Sequence, residues 1–280
     1  MILERLSEIA DRYDAVFCDV WGVIHNGRRL YPGAAEALSA FRAAGKSVVL
    51  LTNIPKPRDP IPGQLDRLGF PRAAYDVIVT SGDAIRAAVG ARAPGPMYKI
   101  GPPRDGPLWE GLGLAQAPLE SARFVAISGL NDDHEEPSAY ADVLAAARAR
   151  DLEMLCANPD IVVRVGDDLM WCAGAVARDY EKLGGRVIMA GKPHAPIYDL
   201  AFHELARLQP GVTRDRVLCI GDGVVTDVRG ANEQGLDCLF IASGMHGEAL
   251  MTGGALDEAK ISAALAEEGV RANYVMDALR

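Results

Sequence analysis

Ala15-Val16-Phe17-Cys18-Asp19-Val20-Trp21-Gly22-Val23 reads as a buried strand that runs into an acidic loop. Residues 15–18 carry no charge, as expected of a strand covered on both faces. Asp19 stands at its carboxyl end, and Trp21 lies two residues on. Ser47-Val48-Val49-Leu50-Leu51 and Val217-Leu218-Cys219-Ile220 are apolar throughout in the same way. Strand runs are read at 15–20, 47–52, 76–80, 97–100, 123–127, 153–156, 186–190, 216–221 and 237–241. Helical patterns alternate with them at 33–44, 83–91, 137–150, 173–183, 196–207 and 227–234. Such alternation predicts an α/β fold, a doubly wound parallel sheet with helices on each side.

The 280 residues exceed the size at which a single core usually keeps growing, so two domains are expected. Residues 89–107 are rich in Gly, Ala and Pro but are interrupted by Met97-Tyr98-Lys99-Ile100. They read as loops of a second α/β unit inserted in the first, not as a flexible linker. The expected division is a core of residues 1–83, an insert of 84–183 and a core of 184–280.

Net charge is −9 and the pI is near 5.1, which argues against nucleic acid or an anionic membrane as partner. A small phosphorylated metabolite remains compatible, because a metal and a few cations can make a local positive site. A second copy of the chain is an open alternative to a monomer. Met1-Ile2-Leu3-Glu4-Arg5-Leu6 lacks a long apolar region, and no apolar run reaches bilayer length. The five cysteines lack C-x-x-C spacing and read as buried thiols in a reducing compartment. A cytoplasmic location is therefore expected.

Charged and polar residues recur where apolar runs end. Asp19 ends the first run, and Thr52 and Asn53 end the second. Lys192 follows Val187-Ile188-Met189-Ala190-Gly191. Asp222 follows Val217-Leu218-Cys219-Ile220-Gly221, and Asp227 is five residues further on. Parallel sheets collect ligand groups at these carboxyl ends. Taken singly, each has a plain structural reading as a turn or helix-capping residue.

Together and in this order, the residues resemble the class IIA branch of the haloacid-dehalogenase superfamily, phosphatases of sugar phosphates and nucleotides with an α/β cap. The resemblance includes Tyr31-Pro32-Gly33-Ala34, Leu51-Thr52-Asn53 and Thr80-Ser81-Gly82. It continues through Asn158-Pro159-Asp160, Gly191-Lys192-Pro193 and Gly221-Asp222-Gly223-Val224-Val225-Thr226-Asp227. It implies a Rossmann-like core with the cap inserted between the second and third core motifs.

The resemblance also implies roles. Asp19 would be the nucleophile that becomes an aspartyl phosphate, and Lys192 would neutralise charge beside it. Thr52 and Asn53 would bind phosphate. Mg²⁺ would be held by Asp19, the backbone carbonyl of Trp21, Asp222 and Asp227. Asn158 and Asp160 belong to the cap. Trp21 stands where the family's second aspartate, its general acid/base, would be. An indole N–H only donates hydrogen bonds, and it has no useful acidity. His25 is the nearest residue able to carry a proton and is expected on an exposed loop near the hinge. Asp132, Asp133 and His134 read as a charged loop of the cap. The activity expected is a Mg²⁺-dependent phosphatase. A weakly active phosphate-binding regulatory protein and a phosphotransferase are the alternatives.

Overall fold

The computed structural model of the chain describes residues 1–166, 168–244, 247 and 249–280. Strand β1 (Ala15–Cys18) is followed by α1 (Ala34–Ala43), β2 (Ser47–Thr52), α2 (Ile61–Leu68) and β3 (Val77–Thr80). Helix α3 (Ser81–Gly90) leads to β4 (Met97–Ile100), β5 (Phe124–Ile127), α4 (Ala141–Ala149) and β6 (Glu153–Cys156). Next come β7 (Val162–Val165), β8 (Asp168–Trp171), α5 (Ala173–Lys182) and β9 (Arg186–Met189). The chain returns through α6 (Ala195–Leu208), β10 (Val217–Gly221), α7 (Arg229–Glu233) and β11 (Asp237–Ile241). It closes with β12 (Met251–Thr252), β13 (Ala255–Leu256), α8 (Glu258–Glu267) and β14 (Tyr274–Met276).

The larger sheet has the order β14-β11-β10-β1-β2-β3, with every pairing parallel. Its strand residues alternate between two covered faces. Val16, Cys18, Val48, Leu50, Leu218 and Ile220 pack on one side with Leu38 and Phe41 of α1 and Ile61 and Leu65 of α2. Ala15, Phe17, Val49, Leu51, Val217 and Cys219 pack on the other with Ile197, Tyr198, Ala201 and Leu205 of α6. Each buried Val, Leu, Ile or Phe among them contributes about 1.5–3 kcal/mol over exposure. The run around Asp19 thus becomes a central strand, with β2 on one side and β10 on the other. Strand order reverses there, which opens a crevice at the carboxyl ends.

The inserted unit has its own parallel sheet, β4-β5-β6-β9. Val125, Ile127, Met154 and Cys156 pack on Leu144 of α4 and Val176 and Tyr180 of α5. Phe124, Ala126 and Leu155 pack on Ile85 and Val89 of α3. One expectation needs correction. The insert does not end at residue 183: Arg186–Met189 pairs with Glu153–Cys156, so the unit extends through Met189. An apolar run looks alike in either sheet, and only pairing decides which sheet receives it.

Strands β7 and β8 form an antiparallel hairpin outside both parallel sheets. The Gly166 N–H donates to the Asn26 carbonyl at 2.9 Å, and Arg28 meets Asp168 at 3.0 Å. The hairpin therefore lies against the loop that follows Asp19. Among the described residues, no helix is long and apolar enough to cross a membrane.

Candidate active site

Asp19, Thr52, Asn53, Lys192, Asp222 and Asp227 are all buried, and all line one crevice of about 240 Å³. β1 delivers Asp19, whose N–H donates to the Ile220 carbonyl at 2.8 Å. The chain leaves β10 at Gly221, presents Asp222 and enters a π-helical turn, Val224–Val228, that carries Asp227. Asp227 Oδ2 accepts from the Gly223 N–H at 3.0 Å, which fixes its carboxylate. Gly22 makes this approach feasible. It has φ of 84°, and a Cβ there would lie 1.9 Å from Asp222 Oδ2.

Lys192 arrives from the insert, not from a core strand. It lies three residues after β9, with only 3% of its surface exposed. Its ammonium donates to Asp19 Oδ1 at 2.5 Å and to Asp227 Oδ1 at 2.7 Å. Burial opposes that positive charge, but Asp19 and Asp227 outweigh it and hold Lys192 above the ordinary lysine range. The balance at Asp19 runs the other way. Burial pushes its carboxyl well above the usual range; Lys192 opposes the rise, and Asp227 and Asp222 add to it.

Asp19, Asp222 and Asp227 each place a carboxylate oxygen within 4.8 Å of the other two. Three carboxylates and one ammonium carry a net charge of −2 when all are ionised. A buried cluster of hard oxygen donors with excess negative charge fits a divalent cation. Such a cation would also oppose the upward push on Asp19.

Thr52 Oγ1 accepts from the Ile54 N–H at 3.3 Å, which leaves its own proton available to a ligand. The Asn53 side chain is committed to the protein, so its backbone N–H is what it offers a phosphate. Its Nδ2 donates to Asp160 Oδ1 at 2.8 Å and to the Lys192 carbonyl at 3.1 Å. Its Oδ1 accepts from the Lys192 N–H at 2.7 Å. Both amide protons are spent, so this side chain ties the core to the insert. Gly191 makes room for the tie, since a Cβ there would fall 2.6 Å from Asn53 Oδ1. Asn158 turns the chain into it by accepting from the Asp160 N–H at 3.0 Å.

The comparisons with known proteins follow the same pattern. The haloacid dehalogenase-like hydrolase family matches residues 16–115, and a HAD-hydrolase-like family matches residues 189–279. A haloacid dehalogenase-like hydrolase from Brucella suis 1330, known from its crystal structure, is 43% identical with a TM-score of 0.89. The similarity covers 100% of both chains. The chain belongs to the haloacid dehalogenase-like hydrolases. Ribonucleotide monophosphatase NagD from Escherichia coli K12 is 26% identical, over 82% of this chain and 88% of that protein. Glycerol phosphate phosphatase from Mycobacterium tuberculosis, crystallised in complex with calcium, is 24% identical. It has a TM-score of 0.63 and covers 85% of this chain and 68% of that one.

Trp21 departs most from what the resemblance implies for such a hydrolase. Its half-buried ring meets the His25 ring edge-on at 4.8 Å. It also lies so close over Gly27 that a Cβ there would come within 2.6 Å of it. The ring lines the crevice beside Asp19 and a second cavity that contains His25, Gln64 and Arg67, so it forms a wall between them. His25 is not the exposed residue expected. It is 6% exposed, and its Nδ1 accepts from the Gly27 N–H at 2.9 Å. Burial lowers its pKa to about 4, so the ring is neutral at pH 7 and a poor base.

Further residues line the crevice without having been expected there as site residues: Lys56, Arg104, Asp105, Ser128 and the hairpin residues Val163 and Trp171. Asp132 and Asp133, expected as a charged loop, line it as well. Asp105 sits in the proline-rich stretch whose composition reads as loop, and nothing in its immediate sequence marks it as part of a site.

Proposed function

We propose that this chain is a Mg²⁺-dependent phosphatase acting on a small phosphorylated metabolite, of the sugar phosphate or nucleotide class, through an aspartyl phosphate on Asp19. The observation that carries this reading is the Lys192 ammonium bridging Asp19 and Asp227, with Asp222 within reach of the same cation. The names of relatives such as ribonucleotide monophosphatase support the phosphate monoester as substrate.

Asp19, Asp222 and Asp227 would hold the cation, with the Trp21 carbonyl as a fourth protein oxygen. When bound, Mg²⁺ supplies positive charge to the carboxylates and the phosphoryl oxygens. Lys192, together with the cation, would oppose the upward push of burial on Asp19 and favour its ionised form, and it would steady the transferred group. Thr52 donates its hydroxyl proton to a phosphoryl oxygen. In the first step an Asp19 oxygen attacks phosphorus, and the bond to the leaving oxygen breaks with its electron pair on that oxygen. In the second, water attacks the same phosphorus, the bond to Asp19 breaks and phosphate departs.

Trp21 sets the rates. A leaving group of low pKa departs as an anion, whereas an alkoxide needs a proton that the indole cannot give. The attacking water must lose a proton that the indole cannot take. Missing acid/base help costs about 10²–10⁴-fold where it is needed. The same feature supports a second reading, a phosphate-binding regulatory protein with little turnover or a phosphotransferase to another acceptor. A phosphate-release screen with Mg²⁺ over acyl, aryl, sugar and nucleotide phosphates separates these. Release from acyl and aryl phosphates is expected. No release at high protein concentration, alongside measurable binding of inorganic phosphate, would favour the regulatory reading.

A further inference from the structure

The crevice has a second wall, supplied by the insert, of which the reaction at Asp19 uses only Lys192. All four strands of the inserted sheet point their carboxyl ends at it. Arg104 and Asp105 follow β4, Ser128 to Asp133 follow β5, Asn158 and Asp160 follow β6, and Lys192 follows β9. Asp160 and Lys192 are committed to Asn53 and Asp19, and Arg104 is ion-paired with Asp133. Asp105 and Ser128 are left over.

Asp105 is 5% exposed and Ser128 is 1% exposed. The Ser128 hydroxyl has no hydrogen-bond partner among the described residues. It lies near enough to the Asp105 carboxyl to favour its ionised form, but not in hydrogen-bond geometry. Glycines frame both groups. A Cβ on Gly101 would fall 2.2 Å from Ser128 Oγ, and one on Gly129 would sit 3.8 Å from Asp105 Oδ2. A buried hydroxyl without a partner carries a desolvation penalty, and burial also disfavours the charge of the Asp105 carboxyl beside it. Both residues line the crevice, where the carboxyl, with the covered hydroxyl beside it, is an acceptor for a ligand's donor.

We propose that Asp105 and Ser128 form a recognition subsite for the end of the substrate remote from its phosphate, and that this end carries a hydrogen-bond donor, either a hydroxyl or an ammonium group. The proposal rests on the phosphate-site reading of Asp19 and Lys192 for the other end of the ligand. Burial raises the Asp105 carboxyl above the usual carboxylate range, while neighbouring Ser128, Lys56, Arg104 and Lys99 favour its ionised form. In that form it accepts from either donor, and only the ammonium brings a compensating charge. Asp132 and Asp133 on the same rim make an added carboxylate on the ligand unfavourable.

Calorimetry on the full, Mg²⁺-loaded chain tests this without turnover. The ligands are a plain alkylphosphonate, its terminal alcohol and its terminal amine, all of one chain length, with inorganic phosphate as reference. The alcohol or the amine is expected to bind about tenfold or more tighter than the plain chain. Ser128→Ala and Asp105→Leu should each reduce that preference and leave inorganic phosphate binding unchanged. Asp105→Asn should abolish a preference for the amine and retain part of one for the alcohol, which tells the two apart. Because Asp105→Leu introduces a larger change in a buried position, Ser128→Ala and Asp105→Asn carry the test if it does not fold. Equal affinities for the three phosphonates in the wild type, or a preference that survives both Asp105 and Ser128 replacement, would overturn the subsite. Failure of inorganic phosphate to bind the wild type would instead overturn the reading of the Asp19 end.

Discussion

Trp21 joins the chemistry to the packing of the loop that follows β1. As a wall between two cavities, its ring has a structural task that an aspartate would not perform. Trp21→Asp should therefore have two effects. The slow hydrolytic phase should accelerate and alkyl phosphates should become substrates, while thermal stability falls through loss of the ring's contacts with His25 and Gly27. Steady-state assays and a melting curve read the two separately, and an unchanged slow phase in a folded variant would show that the indole is no handicap. His25 makes a second prediction. Its folded pKa of about 4 lies below the ordinary histidine value of 6.5. Above pH 6.5 the ring is neutral in both states and has no effect. As pH falls from 6.5 towards 4, only the unfolded chain takes up the proton, so up to about 3 kcal/mol of stability is lost. Denaturant titrations at several pH values should show this loss in the wild type and much less of it in His25→Asn. Asp19, Lys192 and Asp222 were legible as residues because each follows an apolar run, and Asp227 through its spacing from Asp222. The burial of His25 was not, since Asn26-Gly27-Arg28-Arg29 has the composition of an exposed loop.

Among the elements, the most consequential contact is the one between the loop after β2 and the chain between β9 and α6. Asn53 holds Lys192 through both its N–H and its carbonyl, and it reaches Asp160 with its remaining proton. Asn53→Ala should destabilise the chain by about 1–3 kcal/mol and displace the ammonium that pairs with Asp19. The expected kinetic signature is a fall in kcat larger than any rise in KM, since phosphate binding through Thr52 is untouched. A change in KM alone would give the Asn53 side chain a direct phosphate-binding role. The outer clasp is different. Arg28 and Asp168 are exposed, so Arg28→Ala should cost less than about 1 kcal/mol. Sequence reading passed over the β7–β8 hairpin because that hairpin lies outside both parallel sheets, whereas buried runs were the guide.

The whole molecule is built around two parallel sheets whose carboxyl ends face one crevice, one contributing Asp19, Thr52, Asp222 and Asp227 and the other Lys192. Five of the six core strands were legible because their runs are largely apolar, whereas β14, only three residues long, and helices α2 and α8 were not read. The end of the insert was not legible, because β9 has the composition of a core strand and differs only in its partner. Net negative charge in the carboxylate cluster predicts that Mg²⁺ raises the melting temperature of the wild type and that Asp222→Asn weakens the effect. A shift of equal size in Asp222→Asn would place the cation elsewhere. The central claim is that Asp19 is phosphorylated quickly and, with Trp21 beside it, dephosphorylated slowly. Rapid-quench measurement with Mg²⁺ and an aryl phosphate tests it most directly. The account predicts a burst of leaving group matched by phosphate bound to Asp19, then slow turnover, with no burst in Asp19→Asn. Rapid, linear hydrolysis of alkyl phosphates by the wild type with no trapped phosphoenzyme, or undiminished turnover by Asp19→Asn, would contradict it.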